Sequence, residues 1–216
     1  MIGKVAERRE AKVASIVDAA WELARAHGIG GVTLHALARQ VGVRQPSLYA
    51  YFESKNALFD AMFADGNRQL LERLGALKLP RDAPSAVRTF MRAFTKFALE
   101  EPARCLLLFH RPIPGFEPSA ESYAYAEAVL ARAVDVLRAA GVESQSDVDC
   151  FVAMIAGLID AQMSNDPGGT RWIRHLDRLI DLYLDDVTRR RTISDPHQNS
   201  TTRSTNARGR GVQALR

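Results

Sequence analysis

Residues 33–55, TLHALARQVGVRQPSLYAYFESK, decide the fold of the N-terminal part of this 216-residue chain. Apolar residues recur at helical spacing after Thr33, a residue type that caps helix N-termini. Gly42 stands where a helix needs a left-handed residue to end. Pro46 falls early in the next helical pattern, where its missing N–H costs nothing. The stretch therefore predicts two short helices joined by a tight turn.

The second of these helices carries two kinds of side chain. Leu48 and Phe52 lie four residues apart and form one buried face. The remaining positions hold hydrogen-bonding or stacking groups, namely Gln45, Ser47, Tyr49 and Tyr51. A helix fits the DNA major groove, and such groups bind base edges and phosphates. The alternative is a plain αα-hairpin, which the polar composition of residues 44–55 disfavours.

The N-terminal part of the chain resembles the tetracycline-repressor (TetR) family of bacterial regulators. The resemblance covers roughly residues 1–60 and rests on residues 16–21, on residues 28–33, and on QPSLYAYF at 45–52 followed by Lys55. In such relatives the third helix lies in the major groove. The resemblance implies a DNA-contacting set made of Thr33, His35, Arg44, Gln45, Pro46, Ser47, Tyr49, Tyr51 and Lys55.

One position departs from the family pattern. The founding repressor has an arginine for base contact on its second helix, and this chain has His35 there. The operator is therefore expected to differ at the corresponding base pairs. Beyond the first domain, only the architecture of the family carries over.

The charge of the chain is unevenly distributed. Residues 1–55 hold eight Lys and Arg against five Asp and Glu, residues 56–187 carry a net −5, and residues 188–216 carry +6. The positive excess in the predicted DNA-binding segment agrees with a nucleic-acid partner. The final segment is polar and rich in Arg, which predicts a disordered tail over 191–216, either inert or adding nonspecific DNA affinity.

The sequence contains no recognisable catalytic or metal-binding pattern. The five histidines are scattered singly, and neither Cys105 nor Cys150 belongs to a C-x-x-C pair. Neither a nucleophile elbow nor a phosphate-binding glycine loop is present. We therefore predict no enzyme activity and no cofactor. Free thiols and the lack of a long apolar run predict a cytoplasmic protein without a membrane span.

The periodicity predicts an all-α protein with an N-terminal three-helix head, joined by a long helix to a helical effector-binding and dimerisation domain. Predicted helices cover 8–27, the two helices of 33–55, a connector from Lys55 to before Leu79, and then 84–99, 102–109, 119–140, 146–165 and 170–190. We place the domains at 1–55 and 56–190, with the tail at 191–216.

An aromatic cluster surrounds the Pro-rich stretch 110–118, which is either an ordered loop or a mobile flap. These side chains either fill the core or line a cavity for a small apolar effector. The predicted ligand-binding residues are Phe94, Phe97, Phe109, His110, Tyr123 and Met154.

The last two predicted helices have broad apolar faces, which form either ordinary core or half of a four-helix dimer interface. Because family members pair through these helices, we predict a homodimer through Phe151, Ile155, Ile159, Trp172, Leu176, Leu179 and Tyr183. A two-fold dimer presents two heads to two DNA half-sites.

Together these patterns predict a ligand-responsive transcriptional regulator, a repressor that binds a palindromic double-stranded DNA operator and is released by a small molecule. Two alternatives remain. One is a helical small-molecule-binding protein that has lost sequence-specific DNA binding, and the other is a helical scaffold for protein partners. Neither explains the composition of residues 44–55.

Overall fold

The computed structural model describes residues 2–110 and 112–194, and every regular element in those ranges is a helix. The prediction of an all-α fold is confirmed. Two short 3-10 turns, Ile29–Gly31 and Ile173–His175, accompany the α-helices. The α-helices are α1 (Ile2–His27), α2 (Leu34–Gln40), α3 (Gln45–Leu48), α4 (Lys55–Gly75), α5 (Ala83–Glu100), α6 (Pro102–Phe109), α7 (Ala120–Ala139), α8 (Gln145–Asn165) and α9 (Leu176–Ser194).

Short polar side chains begin many of these helices. Thr33 Oγ1 accepts a hydrogen bond from the Ala36 N–H at 3.1 Å, as its predicted role requires. The same kind of cap is made by Ser54, Asp82, Ser119 and Ser144 at the start of α4, α5, α7 and α8. Gly42 adopts φ +70° directly after α2, the left-handed conformation predicted for it.

Four predicted boundaries are wrong. Helix α1 begins at Ile2 rather than at residue 8. The helix α3 ends at Leu48, so that Tyr49 and Tyr51 lie in the turn that follows it. The last helix begins at Leu176 rather than at 170, because Gln162 Oε1 accepts the N–H groups of Trp172 and Ile173 and holds that segment against α8. It ends at Ser194, past the predicted start of the tail. The rest of the predicted tail, 195–216, lies outside the described residues.

The described residues form two hydrophobic cores. The first belongs to the head, which we define as α1, α2, α3 and the first half of α4. Its most buried members are Ile16, Ala20, Trp21, Val32, Leu37, Leu48, Leu58, Phe59 and Met62. The second core belongs to the body, which we define as the second half of α4 together with α5, α7, α8 and α9. The long helix α4 therefore contributes to both cores and connects them.

Helix α6 lies between the two cores and contributes to each. Leu107 is buried in the head core, whereas Cys105 and Leu108 are buried in the body core. Gly66 of α4 permits this close approach, because a Cβ built there would lie 3.0 Å from a methyl carbon of Leu108. Helix α6 therefore packs against both the head and the body.

The described part of the Pro-rich segment, 112–119, packs on α4. Phe116 contacts the ring of Phe59 with 5.9 Å between centroids. Ser119 donates hydrogen bonds to Asp60 through its N–H at 2.7 Å and its hydroxyl at 2.8 Å. This segment is therefore an ordered connection across α4. None of the helices within residues 2–110 and 112–194 has the length and apolar character needed to cross a bilayer.

Candidate DNA interface and ligand cavity

The polar residues predicted to face DNA lie on one part of the head surface, around α2 and α3. Leu48 and Phe52 are buried below them, with 0% and 4% of their surfaces exposed. None of the predicted DNA-contacting residues is buried. Gln45 and Tyr51 are half-buried, and the exposed members are Thr33, His35, Arg44, Pro46, Ser47, Tyr49 and Lys55.

Several contacts hold this surface in place. Arg9 of α1 donates a hydrogen bond to the Ala50 carbonyl at 3.3 Å, which ties α1 to the turn after α3. Lys55 lies at the first residue of α4, with its Nζ 5.1 Å from the centroid of the Phe59 ring. The sequence pattern did not indicate the Arg9 contact, because it joins positions 41 residues apart.

The body contains a cavity of about 660 Å³. Its walls are mostly apolar and come from α4, α5, α6, α7 and α8, with the segment after α6 contributing at one side. Stacked rings of Phe63 and Tyr123, and tilted rings of Phe94 and Phe109, lie along it. Tyr123 and Phe109 remain 51% and 40% exposed, so the cavity opens to solvent beside them.

Few polar side chains reach the cavity. His110 Nε2 lies 3.1 Å from Asp160 Oδ1, and Glu117 lies on the same lining. Asn67 is almost fully buried and donates its amide N–H to the Phe63 carbonyl at 3.0 Å. Burial, and secondarily the charge of Asp160, raises the pKa of the Cys105 thiol to about 11. This thiol is therefore protonated and apolar in character at neutral pH.

The predicted ligand-binding residues divide into two groups. Phe94, Phe109, His110 and Tyr123 line the cavity. Phe97 does not, because its ring packs under the guanidinium groups of Arg73 and Arg104 at the joint with the head. Met154 packs against the body core outside the lining. The pattern missed the contributions of α4 and α8, since no local signal indicates which faces of distant helices meet.

The residues predicted for the dimer interface occupy a different place from the one expected. Phe151, Ile155 and Ile159 of α8 are buried and line the cavity, and Leu176 is buried in the body core. They face inward because α8 supplies one wall of the cavity. Trp172, Leu179 and Tyr183 are half-buried at the same core. Of the residues predicted for the dimer interface, only these three have exposed surface that a second copy of the chain could contact.

Residues 16–62 match the family model described as bacterial regulatory proteins, tetR family. The chain is 34% identical over 87 residues to an uncharacterized HTH-type transcriptional regulator, YobS, of Bacillus subtilis, covering 40% of this chain and 46% of that protein. The chain spans about half the length of the curated relatives it matches.

Solved structures extend the likeness of fold beyond the head. The putative regulatory protein SCO4313 superposes with a TM-score of 0.65 at 23% identity, over 84% of this chain and 97% of that one. The structure of BioQ with its natural double-stranded DNA operator gives a TM-score of 0.58 at 20% identity, over 82% and 98%.

A helix-turn-helix head on an all-helical body defines a class of bacterial transcriptional regulators. Both the head sequence and the whole architecture have their counterparts in one group of that class. The head, residues 16–62, carries the sequence of the TetR family, and the whole chain shares the fold of solved regulatory proteins. The curated relatives that it matches are named as transcriptional regulators and not as enzymes, in agreement with the prediction of a non-enzymatic protein.

Proposed function

We propose that the protein is a repressor that binds a palindromic operator as a homodimer and leaves it when a small molecule fills the cavity. One observation carries this proposal. Helix α6 has Leu107 in the head core and Leu108 on the wall of the cavity. A ligand that displaces α6 therefore acts on the packing of the DNA-binding head through adjacent residues.

The exposed surface around α3 supports the DNA half of the proposal. We assign Gln45 to a base edge, and Tyr49 and Lys55 to backbone phosphates, because these are the partners that such side chains bind. BioQ, whose fold this chain shares, was solved with a DNA operator. The predicted contact set of residues 33–55 therefore remains our assignment for operator binding.

Dimerisation through α8 and α9 is retained with a different set of side chains. In place of the buried residues predicted from the sequence, we assign exposed residues to the interface. The main ones are Ala153 and Gly157 on α8 and Leu182 on α9. Leu182 is 53% exposed, which is high for a large aliphatic residue. A four-helix interface at this place sets the distance between the two heads.

Control by a ligand follows from linkage. A ligand lowers operator affinity only to the extent that it binds the DNA-incompetent arrangement more tightly. The cavity supplies that preference if its occupied form displaces α6. DNA then weakens ligand binding by the same factor, because the coupling is reciprocal.

The proposal is tested first by selecting bound sequences from random duplex DNA with the full chain at near-physiological salt, where nonspecific phosphate attraction is weakened. We expect enrichment of an inverted repeat. No enrichment by the ligand-free protein would contradict the repressor assignment and favour a small-molecule-binding protein, for which the cavity would be the supporting observation.

Two variants then locate the interface on the selected operator. Tyr49→Ala and Lys55→Ala should each weaken binding, by roughly 1 kcal/mol or about fivefold, and Lys55→Ala should also reduce the salt dependence by about one phosphate contact. The matched controls are Tyr125→Ala and Lys78→Ala, which remove exposed residues of the same type from the body. Electrophoretic mobility shifts measure affinity, and circular dichroism checks folding. Equal affinities in all four variants would refute the interface.

A further inference from the structure

The described side chains that line the cavity include two carboxylates. These are Glu117 and Asp160, and His110 lies beside Asp160. Neither Lys nor Arg occurs among the described residues of the lining. Within the described lining, the two carboxylates therefore face no basic side chain other than His110.

The hydrogen-bonding groups of the cavity are mainly acceptors. The carboxylate of Asp160 only accepts, so the Nε2 of His110 carries the proton that they share at 3.1 Å. In the neutral ring this leaves Nδ1 as an acceptor, and it is buried with no partner among the described residues. Asn67 donates one amide N–H to the Phe63 carbonyl, and its Oδ1 adds an acceptor to the lining. A ligand that supplies a hydrogen-bond donor would therefore find acceptors at Asp160 and His110 Nδ1.

Aromatic rings occupy the open side of the same cavity. Phe63 and Tyr123 stack nearly parallel, with 7° between their planes and 6.4 Å between their centroids. Phe94 and Phe109 form a second pair at 5.3 Å. Aromatic faces attract cations, and this attraction strengthens as water is excluded. The rings and the carboxylates therefore favour the same kind of ligand.

The negative charge acts inside the cavity as well as at its mouth. Cys105 lies on the wall formed by α6, and Asp160 lies on α8. After burial, the charge of Asp160 is the second cause that raises the pKa of the Cys105 thiol. A negative group near this wall, such as a ligand carboxylate, would meet the same repulsion.

We propose that the cavity binds an apolar molecule that carries a positive charge on a hydrogen-bond donor, such as a hydrophobic amine. This inference rests on the proposed function and adds the chemical class of the effector. The apolar walls bind the hydrocarbon part, while Asp160, Glu117 and the rings bind the ammonium group. A carboxylate with the same hydrocarbon part is excluded by the charge of the lining.

Three probes with one decyl chain separate charge from hydrophobicity, namely decylammonium, decanol and decanoate. Isothermal titration of the full chain, below micelle-forming concentrations, should rank decylammonium first and decanoate last. We expect decylammonium to bind about three- to tenfold more tightly than decanol, the range of one partly screened ionic or cation–π contact. Decanoate binding as tightly as decylammonium, or no binding by any probe, would overturn the inference.

Charge-removing variants test the assigned side chains. Asp160→Asn and Glu117→Gln should each weaken decylammonium severalfold and leave decanol unchanged. Glu127→Gln is the matched control, because Glu127 is an exposed carboxylate of α7 outside the lining. An equal loss for decylammonium and decanol would indicate a structural role and contradict the assignment.

Operator release distinguishes failure of this inference from failure of the proposed function. If decylammonium binds with the expected selectivity but leaves the protein on its operator, the ligand class stands and the release mechanism fails. If decanoate or decanol releases the operator more effectively than decylammonium, the repressor mechanism stands and the charge preference is wrong.

Discussion

Arg104 joins the head and the body at the level of a single side chain. Its guanidinium lies 5.5 Å from the ring centroid of Trp21 in α1 and 4.9 Å from that of Phe97 in α5. It also forms an ion pair with Glu101 at 2.7 Å. With 11% of its side chain exposed, this group makes contacts that a fully solvated arginine would not hold.

Replacing Arg104 by methionine should lower the free energy of unfolding by about 1–3 kcal/mol, because the apolar stem is kept while the stacking and the pairing of Glu101 are lost. Urea denaturation followed by circular dichroism measures this change. Arg92→Met is the control, since Arg92 pairs with Asp177 at the surface with 60% of its side chain exposed. The surface pair should contribute under about 1 kcal/mol. Equal losses would contradict the role given to Arg104.

The sequence allowed prediction of residues whose role is local. The Thr33 cap and the left-handed Gly42 follow from positions three residues apart or fewer, and both are present. The contacts of Arg104 and Arg9 were not predicted, because each joins helices that are distant along the chain. Sequence spacing specifies which face a side chain occupies and leaves its partner undetermined.

At the scale of elements, the turn between α2 and α3 orients the polar surface of the head. Gly42 has φ +70°, and a Cβ built on it would meet nothing within 4 Å. Glycine is therefore required at position 42 for its backbone conformation and not because a side chain would lack space. The N–H of Val43, which follows, donates to the Ala38 carbonyl at 3.0 Å and closes the end of α2.

Gly42→Ala should destabilise the protein by about 1 kcal/mol, because an alanine must adopt the left-handed conformation there. Gly75→Ala is the matched control, since Gly75 is the last residue of α4 and also has open space around its Cα. The control should be neutral or slightly stabilising. Thermal unfolding of both variants measures the difference, and a Gly42→Ala protein as stable as the wild type would refute the requirement.

The presence of each long helix was predicted better than the residues at which the helices begin and end. Long periodic stretches such as α4, α5, α7 and α8 lie within a few residues of their predicted ranges. The end of α3 was missed, and in the turn that follows it the N–H groups of Tyr51 and Phe52 both donate to the Leu48 carbonyl at 2.9 Å. The start of α9 depends on Gln162, a residue of the preceding helix.

At the scale of the whole molecule, the cavity and the proposed dimer surface both use helix α8. The sequence shows α8 as apolar over a wide face, and Phe151, Ile155 and Ile159 on that face were predicted to form part of a dimer interface. The structure uses Phe151, Ile155 and Ile159 for the cavity wall, leaving small outward residues such as Ala153 and Gly157. Amphipathic patterns identify a buried face without indicating what buries it.

Leu182→Glu should separate the proposed homodimer, because it places a charge on an outward apolar position of α9. Sedimentation velocity is expected to show a dimer for the wild type and a shift towards the 23.9 kDa chain for the variant. Tyr125→Glu, at an exposed position of α7, is the control and should leave the mass unchanged. A wild-type protein that sediments as a monomer would contradict the dimer proposal.

The sharing of α4 and α6 between the two cores affects how such proteins can be recombined. The head core includes Leu58, Phe59 and Met62, and it is completed by Leu107. A chimera cut at residue 55 would leave the grafted head without four of its buried side chains. Exchange of DNA specificity between relatives therefore requires a longer graft that ends after Met62, together with a matching residue at position 107. The residues that must be transferred together to keep the head folded are therefore not continuous along the chain.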